Sequence, residues 1–366
     1  MNATPLPRVR PIPFGRWLVA LLLLLPLTAV AAESAAPEGS VYELPENPDE
    51  LLRVDDEMRA FFAPRIPHTS SVERRIDAIV EAVLGDDGLR FRYEPNGLYD
   101  VRETFRRRAG NCVSYSMLIV AVAREFRIPA EFNEVDVRPR WNRAGKLVLR
   151  TGHINVRVRE PGGDFEIDLK IMANFRASGG MARAVNDARA FSSMYTSAGV
   201  FRLVVGDHAG ALRLLERAVR TDPRNATAWC NLGNAQWVVG RLGDARRSFE
   251  RAVAVDPASL AGLNGLAQVH RRTGDLKTAE RLDRQVKRYR DRNPYYLYWT
   301  ARNEAAAGQL EEARRHLRRA IRLKDDEPEF HEFMSEIRSR MAAAPAPEAR
   351  SGGTALAPRE NLLAVR

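Results

Sequence analysis

An α+β domain followed by an all-α solenoid is the fold class this sequence predicts, and three observations carry it. A lone cysteine, Cys112, opens an apolar helical stretch; two runs of period-two alternation flank a Pro161-Gly162 turn; and from Ser192 small residues recur every 34 positions. At 366 residues the chain is long enough for two such domains. Its 45% apolar and 28% charged content is that of a globular protein and excludes a wholly disordered one.

Residues 1–32 carry Arg8, Arg10 and Arg16 without an acid, then the apolar run Trp17 to Leu27, then Ala29-Val30-Ala31. This is the layout of a cleavable secretory signal peptide. Pro26 and the shortness of the run argue against a membrane span, which needs about 20 residues. Export to the periplasm is the expectation. Loss of the leader removes three arginines from a formal charge of +10 and leaves +7. That charge favours acidic partners such as anionic envelope polymers over nucleic acid, although a solvated basic surface accounts for it as well.

Residues 33–69 are rich in Pro, Glu and Asp, with an apolar patch at Met58, Phe61 and Phe62, and read as a linker with one short helix. A stronger helix follows. Ser70 with Glu73 forms a capping box, and Val72, Ile76, Ile79, Val80 and Val83 form an apolar stripe. Asp86-Asp87-Gly88 then turns the chain into a strand, Leu89 to Tyr93, and a loop leads to the cysteine.

Gly110 breaks the structure ahead of Cys112, after which Val113, Met117, Val120 and Ala121 fall at helical steps of three and four. A thiol in the first turn of a helix meets unpaired N–H groups and the positive end of the macrodipole, which favour a thiolate. Arg106, Arg107 and Arg108 add positive charge. The competing reading is a small buried hydrophobe, the usual fate of a free cysteine.

Glu131 to Val137 and Leu147 to Arg150 read as strands. The runs Gly152 to Val158 and Phe165 to Lys170 then alternate about Pro161-Gly162-Gly163-Asp164 as a β-hairpin. Burying Ile154, Val156 and Val158 against Phe165, Ile167 and Leu169 places His153 and Asp168 together on the opposite face. Two registers are open. A loop of residues 159–162 sets His153 directly opposite Asp168. A Pro161-Gly162 loop sets Asp168 opposite Asn155 and diagonal to His153.

The segments Arg108-Ala109-Gly110-Asn111-Cys112, Ala123 to Ala130, Gly152-His153-Ile154-Asn155-Val156 and Ile167-Asp168 together resemble the transglutaminase-like superfamily. The resemblance implies a papain-like core in which a cysteine-bearing helix precedes an antiparallel sheet carrying His and then Asp. The domain would span residues 70–178. Members usually have a proline soon after the aspartate, where this chain has Leu169-Lys170. By resemblance Cys112 attacks an amide carbonyl, His153 acts as general base and then acid, and Asp168 orients the imidazole. An oxyanion hole needs the Cys112 N–H and a second donor, for which Asn96, Tyr99 and Asn111 are the candidates.

After a connector, 179–191, the repeat can be counted. Gly206, Gly240, Gly274 and Gly308 are each 34 apart, as are Ala211, Ala245, Ala279 and Ala313. Gly199, Gly233, Ala267, Ala301 and Ser335 mark the small residue where two helices cross, and Pro223 and Pro257 end the first two units. This period and pattern resemble the tetratricopeptide repeat (TPR) over residues 192–341, with units starting at 192, 226, 260 and 294 and a last helix over 328–341. Asp283 stands where the third unit expects an apolar residue. Residues 342–366 are Ala- and Pro-rich and read as a disordered tail.

Four stacked units would form a groove able to hold a protein or peptide partner, with Thr196, Cys230, Asn264 and Tyr298 along it and Asn234, Gln268 and Arg302 beside them. No metal-ligand spacing or phosphate loop stands out, so no metal or cofactor is expected. Two functions remain. One is an exported cysteine-dependent acyl-transfer enzyme acting on a peptide or isopeptide amide, with the repeats recruiting the substrate. The other is a non-catalytic periplasmic scaffold that binds partners through the groove.

Overall fold

The computed structural model describes residues 42–68, 71–135, 141–144, 147–150, 153–160, 163–169, 182–343 and 364–365. The expected leader, Ser70, the Pro161-Gly162 turn and most of the expected tail lie outside them. The chain forms two compact units, residues 1–138 with 152–206, and residues 139–151 with 207–366.

The first unit opens with a 3-10 turn, Pro48–Leu52, and helix α1, Asp56–Phe62. Leu51, Met58 and Phe62 are fully buried, and Phe61 and Phe62 pack against the ring of Phe105. The segment read as a linker thus supplies core, because its few apolar residues recur at steps of about four and share one face. Helix α2, Val72–Leu84, is capped by Ser71, whose Oγ accepts from the Arg74 N–H at 3.4 Å. The capping residue is therefore one later than the expected Ser70. Its stripe, Ile76, Ile79, Val80 and Val83, is buried as the periodicity required.

Strand β1, Arg92–Tyr93, is shorter than expected, and the following loop contains helix α3, Val101–Arg107, capped by Asp100 onto the Glu103 N–H. Seven residues are too few to show a clear helical period. Strand β2, Ala109–Gly110, pairs parallel with β1, matching Tyr93 with Gly110. Helix α4, Cys112–Glu125, follows at once. It lies against a four-stranded antiparallel sheet of β3 (Ala130–Val135), β6 (His153–Val158), β7 (Phe165–Ile167) and β8 (Ala182–Val185), in the order β7-β6-β3-β8. Strand β8 lies in the expected connector. Helix α5, Asp187–Val204, completes the unit and starts before the expected first repeat residue.

The second unit holds a hairpin, β4 (Trp141–Ala144) and β5 (Leu147–Arg150), with β9 (Ala364–Val365) parallel to β5. Helices α6 (His208–Thr221), α7 (Ala226–Val238), α8 (Leu242–Val255), α9 (Leu260–Arg272), α10 (Leu276–Arg290), α11 (Pro294–Ala306), α12 (Leu310–Leu323) and α13 (Pro328–Ala343) form the repeats. Gly240, Gly274 and Gly308 turn each first helix into its second at φ between +79° and +87°, a left-handed conformation that favours glycine. Gly233 makes room for the Phe249 ring, whose atoms lie 2.7 Å from where a Cβ would sit. Asp283 is accounted for by charge: it pairs with Arg271 and, at 2.6 Å, with Arg290. No helix among the described residues is long and apolar enough to cross a membrane.

Candidate functional site

The site is built from the residues that launch α4. Asn111 is the N-cap, and its Oδ1 accepts from the Val113 and Ser114 N–H groups at 3.0 and 3.2 Å. Its own N–H donates to the Gly97 carbonyl at 2.7 Å. Ser114 ties the same loop down, donating to Gly97 and accepting from the Tyr99 N–H. A Cβ on Gly110 would meet the Ser114 Cβ at 2.7 Å, so only glycine lets the loop close. Cys112 therefore sits, half-buried and unbridged, at the first position of a firmly capped helix. Its N–H has no partner among the described residues and points where an N-terminal helix amide points, away from the helix body.

Ser116, one turn on, donates to the Ile154 carbonyl and brings α4 onto β6. This puts His153, the first residue of β6, beside the thiol. Its side chain is fully buried, and its Nε2 lies 2.7 Å from Asp168 Oδ2. The Cys112 sulfur is close enough to favour the protonated ring as well. Burial opposes the imidazolium, but the hydrogen bond to Asp168, the nearby sulfur and the charges behind them outweigh it. They hold the His153 pKa up at about 9.

The hairpin register settles the geometry. Val156 pairs with Ile167 and Val158 with Phe165, so Asp168 continues to a place opposite Asn155. Asp168 reaches His153 diagonally, and Asn155 Nδ2 donates to the same Oδ2 at 3.2 Å. Asn133 on β3, paired with Asn155 in the ladder, donates in turn to Asn155 Oδ1 at 3.0 Å. Both asparagines are 1% exposed. This relay is the part of the site that sequence reasoning missed, although the Asn133 and Asn155 positions share the parity of His153.

The three oxyanion candidates are placed as follows. Asn96 is exposed in a turn. The Tyr99 hydroxyl donates to Glu94 at 3.3 Å and its ring stacks under Arg107. Asn111 uses its side-chain carbonyl as the helix cap. Tyr93 was not foreseen. Paired with Gly110, it lies close enough to Cys112 that burial and the sulfur together push its phenol pKa up. The arginine cluster is also neutralised in part, since Arg106 pairs with Asp55 and Arg107 with Glu103. Tyr115, one turn after Cys112, is fully buried, and its hydroxyl has no hydrogen-bond partner among the described residues. Burial and the Asp168 charge raise its pKa.

The expected groove is corrected as well. Thr196, Cys230, Asn234, Asn264, Gln268 and Tyr298 are all buried, and several are committed within the fold. Thr196 donates to Ser192, Cys230 approaches Ser259 at 3.6 Å, and Asn264 accepts from Arg290. Tyr298 stacks on Phe330 and donates to Glu329. Arg302 alone is exposed, lying over Tyr298, Trp299 and Phe333. Strand β4 approaches α11, and β9 approaches α7. No group of three metal-ligating side chains occurs among the described residues.

Among known proteins, the tetratricopeptide repeat family matches residues 202–244 and 230–288, and a second tetratricopeptide repeat description matches 294–319. No curated protein matches the chain. Similar solved structures include MamA (41-end) from Desulfovibrio magneticus RS-1, 18% identical over 41% of this chain and 85% of that one, with a TM-score of 0.30. Another is a thermophilic TPR protein of Thermus thermophilus, 24% identical over 41% of this chain and 82% of that one, with a TM-score of 0.33. The C-terminal region of this chain carries tetratricopeptide repeats, and repeats of this kind point to a protein partner.

Proposed function

We propose that this protein couples a partner-binding repeat region to a cysteine acyl-transfer centre in the first unit, exported if residues 1–32 act as the leader they resemble. The observation that carries the catalytic half is the single imidazole, His153, bonded to Asp168 at 2.7 Å with the Cys112 sulfur near enough to raise its pKa. In the proposed step the proton of Cys112 already rests on His153, whose imidazolium is favoured up to about pH 9, and the sulfur attacks an amide carbonyl. The oxyanion is met by the Cys112 N–H. His153 then returns the proton to the leaving amine, and water or a second amine resolves the thioester. Asp168, held by Asn155, keeps the imidazole ring turned toward the sulfur throughout.

The second reading is the non-catalytic scaffold, and the family matches favour it, because they speak of partner binding and of nothing catalytic. The two separate cleanly by experiment. Intact-mass spectrometry after incubation with peptide amides and wall fragments should trap an acyl adduct on Cys112 that is absent in Cys112→Ala and does not accumulate in His153→Ala. Alkylation of Cys112 at the rate of a free thiol, unchanged by His153→Ala, would leave the scaffold reading in place.

A further inference from the structure

The repeat register exposes a position at the end of the solenoid that every preceding unit covers. Gly233, Ala267 and Ala301 are buried. Gly233 is covered by Phe249 of the following helix, and Ala301 shares a core with Ala313 and Leu317. Ser335 on α13, the next residue in this series, is exposed. Among the described residues no second helix follows α13 to cover it. Beside it lies a cavity of about 400 Å³ between α12 and α13, with Ile321 and Met334 as its apolar floor.

The rim is cationic. Arg318 and Arg322 from α12 and Arg338 from α13 line the cavity, and none of them has an ion-pair partner among the described residues. Their neighbours on the same helices are neutralised: Arg314 by Glu311, Arg315 by Glu312, Arg319 by Asp291 and Arg340 by Glu336. Arg338 also occupies the place from which two of the earlier first helices are tied to their second helices. Gln236 accepts from Ser248 at 2.7 Å and Glu304 bonds His316 at 2.8 Å, while Arg338 has no such cross-helix tie.

We infer that this open end seats an amphipathic helix of a partner protein that carries acidic residues beside its apolar stripe. An apolar side chain would cover Ser335 and Met334, and carboxylates would meet Arg338, Arg318 and Arg322. The proposal rests on the repeats binding a protein and names where and by what chemistry. The chain's own residues 344–366 fit poorly. Pro345, Pro347, Gly352, Gly353 and Pro358 leave at most eight consecutive residues free of helix breakers, and arginines outnumber acids there.

The test uses two synthetic helical peptides with the same leucine stripe, one bearing glutamates and one lysines, titrated by fluorescence anisotropy against the full chain. The acidic peptide should bind, weaken at high salt, and lose at least tenfold in affinity with Arg318→Glu/Arg338→Glu or with Ser335→Trp. Arg314→Glu should change nothing. Circular dichroism checks that each variant is folded. Equal binding of both peptides, or of neither, overturns the seat and leaves a solvated end. Tenfold tighter binding after removal of residues 344–366 assigns the seat to the tail instead. A concentration-dependent dimer that Ser335→Trp dissociates assigns it to a second copy. A partner isolated with the full chain that still binds Arg318→Glu/Arg338→Glu keeps the partner-binding reading and rejects this site alone.

Discussion

His153 Nε2 lies 2.7 Å from Asp168 Oδ2 although the two residues are not opposite each other in the hairpin. The register that pairs Val156 with Ile167 sets Asp168 opposite Asn155, two residues along the strand from His153. Diagonal neighbours on one face are within reach of a ring side chain. The cost of this arrangement is that the carboxylate is not fixed by His153 alone, and Asn155 completes its cradle.

Replacing Asn155 by alanine should therefore loosen Asp168 and strand the Asn133 amide in a buried site. The expected loss is about 1–3 kcal/mol, typical of an unsatisfied buried polar group. Chemical unfolding followed at Cys112 by alkylation measures it, and the same assay should show slower native-state alkylation as the imidazole loses its orientation. A variant as stable and as reactive as the parent would mean the relay is decorative.

The His153 shift sets a direction for pH. Its folded pKa of about 9 stands above the ordinary value of 6.5, so the imidazolium is favoured by folding. The stabilisation is fully present below pH 6.5 and is lost as pH rises through about 9, with a size of about 3 kcal/mol. Thermal unfolding between pH 6 and 10 should show this decline in the first unit, and His153→Gln should flatten it. Direct NMR titration of the ring gives the independent check.

Much of this centre was legible from residue order. Cys112 at a helix start and the shared parity of His153 and Asp168 follow from period alone, and the 34-residue spacing located the helix pairs. What was hidden depends on long-range contact. The parallel pairing of Tyr93 with Gly110 joins segments that no local pattern links. Phe61 and Phe62 pack against Phe105, more than 40 residues away. The groove failed as an open surface because sequence spacing says which side chains share a face, not whether neighbouring repeat residues such as Arg290 and Phe330 bury that face.

Tyr115 tests the other side of the carboxylate. Its hydroxyl is fully buried without a hydrogen-bond partner among the described residues, near the Asp168 charge. Tyr115→Phe removes only that oxygen and keeps the packing against Phe91. Stability should stay level or rise by up to about 1 kcal/mol, since an unsatisfied polar group is removed at constant shape. A loss above 1 kcal/mol, together with altered Cys112 alkylation, would show that the hydroxyl supports Asp168 in solution.

In the third repeat the decisive residue is Asp283, which breaks the apolar pattern and stands between two arginines. Arg290 is 7% exposed. Its Nε donates to Asn264 Oδ1 at 2.8 Å, its Nη1 meets Asp283, and its guanidinium lies over the Tyr296 ring. Asp283→Ala leaves that guanidinium buried beside Arg271 with no carboxylate, so destabilisation of about 3–5 kcal/mol is expected. The double variant Asp283→Leu/Arg290→Met removes both charges and restores the apolar pattern, which should recover most of the loss. Urea unfolding of the parent, the single variant and the double variant measures the two steps. If the double variant is no better than Asp283→Ala, the pair is not the cause, and the fold depends instead on the Asn264 bond that Arg290→Met also breaks. Arg290→Lys separates these outcomes: it keeps the charge for Asp283 and loses the fixed geometry that serves Asn264 and Tyr296 together.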